Sequence, residues 1–317
     1  MWQKELKHSI NSASTLAKLL KLIVMPGNAE RGLKTWPVKV PQCWLRRIKR
    51  NCLQDPLLKQ VLPSPAELRR VVGFTLDPLG EKKYLVAPGV LHKYYGRVLL
   101  LVTDTCALNC RFCFRRYCRE RRRINWSQAL RYIASNPTIT EVILSGGDPL
   151  TLSDATLKKY IQKIAAIKHV RYLRIHTRVP IVLPSRITKK LLQILTHTRL
   201  MTVMVVHCNH AQEIDRSVQR ALLRSKNAGI NLFNQAVLLR EINDDAAILI
   251  ELSRALFTAG VLPYYLHILD KVQGASHFYV TPSRAKEIHA TIARKLPGYL
   301  VPRLVIEIIG AAAKTDV

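Results

Sequence analysis

The segment Thr103-Asp-Thr-Cys-Ala-Leu-Asn-Cys-Arg-Phe-Cys-Phe-Arg-Arg116 carries the strongest chemical signal in the sequence. Its three thiols, Cys106, Cys110 and Cys113, have the spacing C-x3-C-x2-C, and Phe112 stands directly before the last of them. Thiolates are the usual ligands of iron–sulfur clusters, and a [4Fe–4S] cluster has four iron corners. Three clustered cysteines therefore predict a cluster with one iron open to a ligand from outside the protein.

A zinc site is the alternative interpretation of the same cysteines, and buried free thiols are another. Structural zinc needs four ligands, which usually come from two closely spaced cysteine pairs or from nearby histidines. Cys118 is the only additional thiol close to the segment. The spacing therefore favours the cluster over zinc.

Composition indicates a globular enzyme with a large core. The chain has 317 residues, of which 48% are hydrophobic and 22% are charged. Lys and Arg total 50 against 21 acidic residues, a net charge of +29 that favours anionic partners such as nucleic acid, an acidic protein or anionic small molecules. Aromatic residues make up only 7%, and no aromatic-rich basic platform is evident, so nucleic acid is not the expected partner.

Cysteine usage and hydropathy predict a soluble cytoplasmic protein. Of the seven cysteines, three lie in one motif and the others are scattered, which is not the pattern of a disulfide framework. No secretory signal is evident, and no apolar run approaches the ~18 residues that a membrane span requires.

From residue 98 onward, short apolar runs alternate with amphipathic segments, a pattern that predicts a parallel sheet with crossover helices. Asp154 and Asp244 are predicted helix N-caps, whereas Gly229 and Gly260 suit helix C-termini. The predicted strands are Val98–Thr103, Glu141–Ser145, Tyr172–His176, Thr202–Val206, Asn231–Leu239 and Tyr264–Ile268, and the predicted helices lie near 127–135, 154–167, 186–196, 212–228, 244–259 and 283–295.

Polar side chains stand at the C-terminal ends of these strands. The active groups of a parallel barrel collect at that edge of the sheet. An open doubly wound sheet is the alternative to a barrel. The chain divides into a helical N-terminal extension (1–95), a barrel core (96–275) and a C-terminal helix, strand and tail (276–317).

Four further features are candidates for binding, and each also has an ordinary structural explanation. The turn Ser145-Gly-Gly-Asp148 lets backbone approach a ligand closely, but it could be only a turn. His92–Arg97 places cations and phenols together, which suits a phosphate monoester or simply a solvated basic face. Asp270 and Glu307 could bind an ammonium group or be ordinary ion-pair partners, and Lys314 could be a frayed terminal lysine.

Together these motifs resemble the lysine 2,3-aminomutase family, which combines radical S-adenosylmethionine (SAM) chemistry with pyridoxal phosphate (PLP). The resemblance covers roughly residues 75–317. It implies a partial (β/α)6 TIM-type barrel of the radical SAM superfamily with a PLP-anchoring tail. The shared segments are His92–Arg97, Cys106–Arg116, Ser145–Leu150, Arg174–Pro180, Asn234–Arg240, Pro263–Tyr265, Asp270 and Pro297–Pro302.

The resemblance also implies a role for each candidate residue. Cys106, Cys110 and Cys113 would hold the cluster. For SAM, Phe112 would lie near the adenine, while Gly146, Gly147, Asp148 and Gln235 would help hold the rest. Lys93, Tyr94 and Arg97 would bind the PLP phosphate and are called the phosphate cradle here, and Lys314 would form the Schiff base with PLP. Arg115 would bind the carboxylate of substrate lysine, with Asp270 and Glu307 on its far ammonium group.

Within the family, Asp55–Leu62, Leu91–Tyr94, Asp270–Gly274 and His277-Phe278 resemble a short bacterial branch. That branch converts (S)-α-lysine to (R)-β-lysine, which a separate ligase attaches to translation elongation factor P, and an electron donor is a further implied partner. A free-standing lysine 2,3-aminomutase of lysine catabolism is one alternative. A basic iron–sulfur protein that binds nucleic acid is another.

The chain departs from the family pattern at two places near its C-terminus. The lead-in to the PLP lysine is Gly310-Ala-Ala-Ala rather than a run of glycines, and Glu307 stands where the family has aspartate. Fewer glycines make the tail stiffer, and the longer acid adds one methylene to the substrate site.

Overall fold

The structure is a computed structural model that describes residues 2–22, 36–117 and 124–317. Cys118, which was considered above as a further zinc ligand, lies outside these residues, as does the basic run from there to Arg123. Within them, one ten-stranded sheet has a strand order that follows the chain.

Seven central strands of this sheet, β3 to β9, are parallel, and short antiparallel strands flank them. The strands are β1 (Leu85–Ala87), β2 (Val90–Tyr94), β3 (Arg97–Thr103), β4 (Glu141–Gly146), β5 (Tyr172–Thr177), β6 (Met201–Val206), β7 (Asn231–Leu238), β8 (Leu262–Ile268), β9 (Arg303–Ile306) and β10 (Thr315–Asp316).

Helices follow each parallel strand from β3 to β8. The helices of the described residues are α1 (Trp2–Lys7), α2 (Ala13–Leu19), α3 (Gln42–Leu45), α4 (Pro56–Lys59), α5 (Trp126–Ala134), α6 (Asp154–Ala165), α7 (Val179–Val182), α8 (Lys189–Thr196), α9 (Arg216–Asn227), α10 (Ala246–Thr258) and α11 (Pro282–Lys295). In residues 2–22, 36–117 and 124–317, none of them combines the length and apolar character needed to cross a membrane.

The strand order confirms the partial (β/α)6 barrel. A doubly wound sheet reverses its strand order at a switch point, whereas here consecutive parallel strands are always neighbours. All six predicted strands are present, with ends within two residues of the prediction. The predicted N-caps are wrong by one position, because Ser153 and Asp245 cap α6 and α10. Gly229 and Gly260 follow helix ends with φ of +93° and +81°, as predicted.

The N-terminal extension is not wholly helical. Its last part forms β1 and β2, and β2 pairs with β3, so the His92–Tyr94 segment is part of the sheet. Buried side chains of the extension, such as Trp44 and Leu57, belong to the same hydrophobic core as the barrel strands. Residue 95 lies between the paired strands β2 and β3, and the extension and the barrel share one continuous core.

A buried ion-pair group joins the extension to the cysteine segment. Glu67 accepts hydrogen bonds from Arg111 at 2.8 and 2.5 Å and from Arg116 at 2.7 Å. Burial alone would raise the pKa of Glu67, but the two guanidinium groups lower it below its usual range. The carboxylate therefore stays charged and compensates two buried cations.

Glu67→Gln should destabilise the protein by about 3–5 kcal/mol, because two buried guanidinium groups lose their counter-charge. The free energy of unfolding in urea measures this. Glu287→Gln is the matched control, since Glu287 pairs with Arg284 at 2.9 Å on an exposed helix surface, and such pairs contribute about 0–1 kcal/mol. If both substitutions lowered the free energy of unfolding equally, the buried ion-pair group would not be a structural link between the extension and the cysteine segment.

Candidate active site

One cavity of about 520 Å³ lies at the carboxyl ends of the parallel strands, within the usual size range of ligand pockets. Every candidate residue from the sequence lines it: Lys93, Tyr94, Arg97, Cys106, Cys110, Phe112, Cys113, Arg115, Gly146, Gly147, Asp148, Gln235, Asp270, Glu307 and Lys314. The fold thus brings the cysteine segment and the candidate PLP residues to the same space, while the individual roles remain predictions.

The cysteine segment follows β3 and is held in place by the N-terminal extension. The backbone N–H of Arg111 donates to the carbonyl of Gln60 at 2.9 Å, and the indole of Trp36 donates to the carbonyl of Cys110 at 2.9 Å. Cys106, Cys110 and Cys113 are partly buried. Backbone contacts therefore fix the segment while its sulfur atoms face the cavity.

The donor set matches the three protein thiolates that a [4Fe–4S] cluster with one open iron requires. Within the described parts of the chain, no three Cys, His, Asp or Glu side chains converge as a single-ion site. Each thiolate of a [4Fe–4S] cluster binds a different iron atom, so its ligands stand apart. The alternative zinc interpretation would instead need four ligands around one centre.

Arg178, to which the sequence assigned no role, lies directly beside the cysteine segment. Its guanidinium donates to the Cys110 sulfur at 2.8 Å, to the Gln60 side chain at 2.5 Å and to Glu213 at 3.0 Å. Burial alone would lower the pKa of Arg178, but Cys110 and Glu213 hold it above its usual value. A buried permanent cation therefore contacts one candidate cluster ligand.

Asp148 fixes the turn that carries Arg178. Its carboxylate accepts hydrogen bonds from the Thr177 hydroxyl at 2.6 Å and from the backbone N–H groups of Arg178 at 2.7 Å and Val179 at 3.0 Å. Burial raises the pKa of Asp148, although these bonds oppose the shift. The side chain thus has a clear positioning task, and its implied role in SAM binding remains a prediction.

Gly146 and Gly147 are required by close backbone packing. A Cβ atom on Gly146 would lie 2.5 Å from the carbonyl oxygen of Thr103, and one on Gly147 would lie 2.4 Å from that of Thr105. Gly146 also has φ of +109°, which L-residues rarely adopt. The paired glycines let the turn after β4 pack against the start of the cysteine segment.

Three histidines, one on β5, one directly after β6 and one on β8, line the cavity, and the sequence assigned none of them a specific role. Burial is the main cause that lowers the pKa of His176, His207 and His267, with that of His207 falling to about 3. His207 shares a hydrogen bond of 2.8 Å with Gln235, and the His176 Nε2 atom has no protein partner among the described residues. The histidines are therefore neutral, and His176 offers a buried polar atom to a ligand.

Lys314 is held in the structure rather than frayed. It directly precedes β10, whose residues Thr315 and Asp316 pair with β9. The Nζ atom lies 3.1 Å from His267 Nε2 and 3.6 Å from Glu307 Oε2. Burial lowers the pKa of Lys314, and Glu307 partly opposes this shift. The terminal lysine is thus an ordered amine facing the cavity.

The phosphate cradle contains two cations, and each of them lies close to a tyrosine ring. The Lys93 ammonium lies 5.3 Å from the ring centroid of Tyr84 and 5.2 Å from that of Tyr94, and the Arg97 guanidinium lies 4.9 Å from the same Tyr94 ring. Two cations and a phenol are a suitable donor set for a phosphate monoester. The residues present therefore fit PLP at this end of the cavity.

Arg115 and Glu81, which both line the cavity, form an ion pair. Arg115 donates to Glu81 at 2.7 Å through Nη2 and at 3.1 Å through Nε, and its other terminal nitrogen donates to Ser145 at 3.0 Å. The sequence predicted Arg115 as a carboxylate-binding residue but did not identify Glu81. The side chain already holds a carboxylate in the geometry that guanidinium favours.

Known proteins are similar in sequence to nearly the whole chain. Residues 100–252 match the Radical SAM superfamily. The L-lysine 2,3-aminomutase of Escherichia coli (strain K12) is 42% identical over 99% of this chain and 93% of its own length. The enzyme of that name from Haemophilus influenzae is 44% identical over 99% and 94%, and the one from Clostridium subterminale is 36% identical over 97% and 76%.

Proposed function

This chain belongs to the lysine 2,3-aminomutase family of radical SAM enzymes, and we propose that it converts (S)-α-lysine to (R)-β-lysine with PLP as a further cofactor. The family implies a [4Fe–4S] cluster and SAM. One observation carries the PLP part of the proposal: a single cavity is lined by Cys106, Cys110 and Cys113 and also by Lys314 and the phosphate cradle.

In this proposal the cofactors supply the reactive chemistry, and the side chains of the protein bind and orient them. When bound, the cluster and SAM supply a radical that removes a hydrogen atom, and PLP supplies the conjugated system across which an amino group can migrate. The three cysteines hold the cluster, and Arg178 orients the Cys110 sulfur through its 2.8 Å hydrogen bond. Lys314 supplies a partly buried amine for covalent attachment of PLP.

Substrate recognition in this proposal follows from matched charges. Lysine carries a carboxylate, which the Arg115 guanidinium would bind, and a distant ammonium group, which Asp270 would neutralise. The neutral histidines add no positive charge that would repel this ammonium. The Phe112 ring packs edge-to-face on Phe278 at 6.1 Å, so the cavity has an apolar wall that excludes water from a reactive radical.

Direct detection of the product tests the proposal. The protein is reconstituted anaerobically with iron, sulfide and PLP and then incubated with SAM, dithionite and L-lysine. Chiral chromatography should detect (R)-β-lysine, and omission of SAM should prevent its formation. A fully loaded protein that leaves L-lysine unchanged would contradict the proposed reaction.

Acidification should weaken the reaction through Asp270. Burial raises the pKa of Asp270 to about 7, and Glu307 adds to this shift while Lys314 opposes it. Below this pKa the carboxyl is neutral and no longer attracts the ammonium group of lysine. We therefore expect kcat/KM for L-lysine to fall about tenfold per pH unit below pH 7, since this ratio reports ionisations of the free enzyme.

Asp270→Asn separates this effect from other ionisations. The variant should lose the acid limb of the pH profile and, at pH 8, show a KM for lysine raised by roughly 30-fold or more, as expected for a lost charge pair of ~2 kcal/mol. A variant that keeps the same limb would assign the ionisation to another group.

We further propose that the β-lysine serves the modification of elongation factor P. The support is the branch resemblance of Asp55–Leu62 and Asp270–Gly274, the second of which borders the cavity through Asp270. A cytoplasmic location and an electron donor are part of this proposal. Product transfer to elongation factor P by its β-lysine ligase tests it, whereas product that the ligase rejects would favour the free-standing catabolic alternative.

A further inference from the structure

A carboxylate of the chain already binds the phosphate cradle. Lys93 Nζ lies 2.6 Å from Glu307 Oε1, and the Tyr94 hydroxyl donates a hydrogen bond to the same oxygen. The side chains of Lys93 and Glu307 are 13% and 11% exposed. Glu307 therefore contacts two of the three residues that the resemblance assigns to the PLP phosphate.

These contacts cannot be shared fully with a phosphate. Tyr94 has a single O–H proton, and in the structure that proton is directed to Glu307. A phosphate dianion beside an ionised carboxylate would also be repelled, and the repulsion is strong where solvent is largely excluded. Binding of PLP thus requires Glu307 to release at least the Tyr94 hydroxyl.

The second oxygen of Glu307 reaches the other anchor point of PLP. Oε2 lies 3.6 Å from the Nζ atom of Lys314. One carboxylate therefore links the phosphate cradle to the Schiff-base lysine, and it contacts both ends of the space that the cofactor would fill. Recognition of the lysine ammonium alone, the role implied by the family, does not account for these contacts.

We propose that Glu307 is an internal competitor of the PLP phosphate, which holds Lys93 and Tyr94 until the cofactor displaces it. This inference rests on the proposed function and deepens it by assigning Glu307 to cofactor entry. The displaced carboxylate is then available to the substrate ammonium group, the role that the family resemblance implies for Glu307.

Paired binding measurements with PLP and pyridoxal test the inference. Pyridoxal has the same ring and aldehyde but no phosphate, so the ratio of its Kd to that of PLP isolates the contribution of the phosphate. Equilibrium dialysis of wild type and Glu307→Gln gives both constants. We expect the ratio to rise about tenfold or more in the variant, because the competing charge is gone while the cradle remains.

Two further variants control the measurement. Glu81→Gln removes a carboxylate from the same cavity, but Glu81 pairs with Arg115 at 2.7 Å rather than with the cradle, so its ratio should match wild type within about twofold. Glu307→Asp keeps the charge and shortens the side chain by one methylene, and its ratio should rise less than that of Glu307→Gln. It provides the same test if Glu307→Gln does not fold.

An unchanged or lower ratio in Glu307→Gln would overturn the inference, as would an equal rise in Glu81→Gln. In both cases PLP binding by wild type would leave the proposed function intact. Failure of wild type to bind PLP at all would instead overturn the inference together with the PLP part of the proposed function. The expected pattern, a selective gain for the phosphorylated ligand in both Glu307 variants, supports it.

Discussion

Cys113→Ala is expected to lower β-lysine formation by ~10³-fold or more, because no radical forms without an intact cluster. Cys113 lines the cavity with Cys106 and Cys110, and loss of one thiolate leaves an iron corner without its protein ligand. Iron and sulfide analysis after anaerobic reconstitution, with the electron paramagnetic resonance signal of the reduced cluster, measures the loss separately from activity.

Cys43→Ala is the matched control for the cysteine prediction. Cys43 donates to the carbonyl of Val182 at 2.8 Å, and burial is the main cause that raises its pKa to about 12. Its thiol is therefore inert, and its removal should leave iron content and cluster signal unchanged. Full iron content in Cys113→Ala would mean that another ligand completes the set and would contradict the assignment.

The barrel could be predicted from sequence because its elements have local causes. In β7 the buried and more exposed residues alternate, and Pro282 stands in the first turn of α11. By contrast, β1 is short and largely exposed, so its residues carry no alternating apolar signal. It is a strand because β2 pairs with it, which is a tertiary cause.

The sequence predicted which residues belong to the candidate site, but not which of them contact one another. The cysteine spacing and the His92–Arg97 segment identified which side chains would meet. The role of Arg178 could not be predicted because its partner Gln60 lies 118 residues away in the chain, and Glu81 was missed for a similar reason. The composition gives one general signal, since with 21 acids against 50 Lys and Arg an acid such as Glu81 is expected to pair with a cation.

Membership in the lysine 2,3-aminomutase family also bears on the alternative classes. A basic iron–sulfur protein that binds nucleic acid would not need a partly buried lysine amine in the same cavity as the cysteines. Here Lys314 and the three cysteines line one cavity. The enzyme interpretation therefore accounts for both halves of the site, whereas the net charge alone motivates the alternative.

Lys314→Ala should remove the visible absorbance of lysine-bound PLP and lower β-lysine formation by ~10³-fold or more, because the amine that attaches the cofactor is gone. The geometry supports this assignment over a surface lysine. Lys314 is fixed by the pairing of β10 with β9, and burial lowers its pKa, which increases the fraction of free amine. PLP should still bind weakly through Lys93, Tyr94 and Arg97.

Borohydride reduction locates the attachment independently of activity. Reduction should fix PLP on the peptide that contains Lys314 in wild type and on no peptide in Lys314→Ala. Lys271→Ala is the matched control, since Lys271 is an exposed lysine next to Asp270 and lies 5.2 Å from the Tyr279 ring; it should keep both the absorbance and the label. Reduction fixes PLP on the nitrogen atom to which it was bonded. A label on any other lysine would therefore rule out Lys314 as the attachment site, even if Lys314→Ala were inactive.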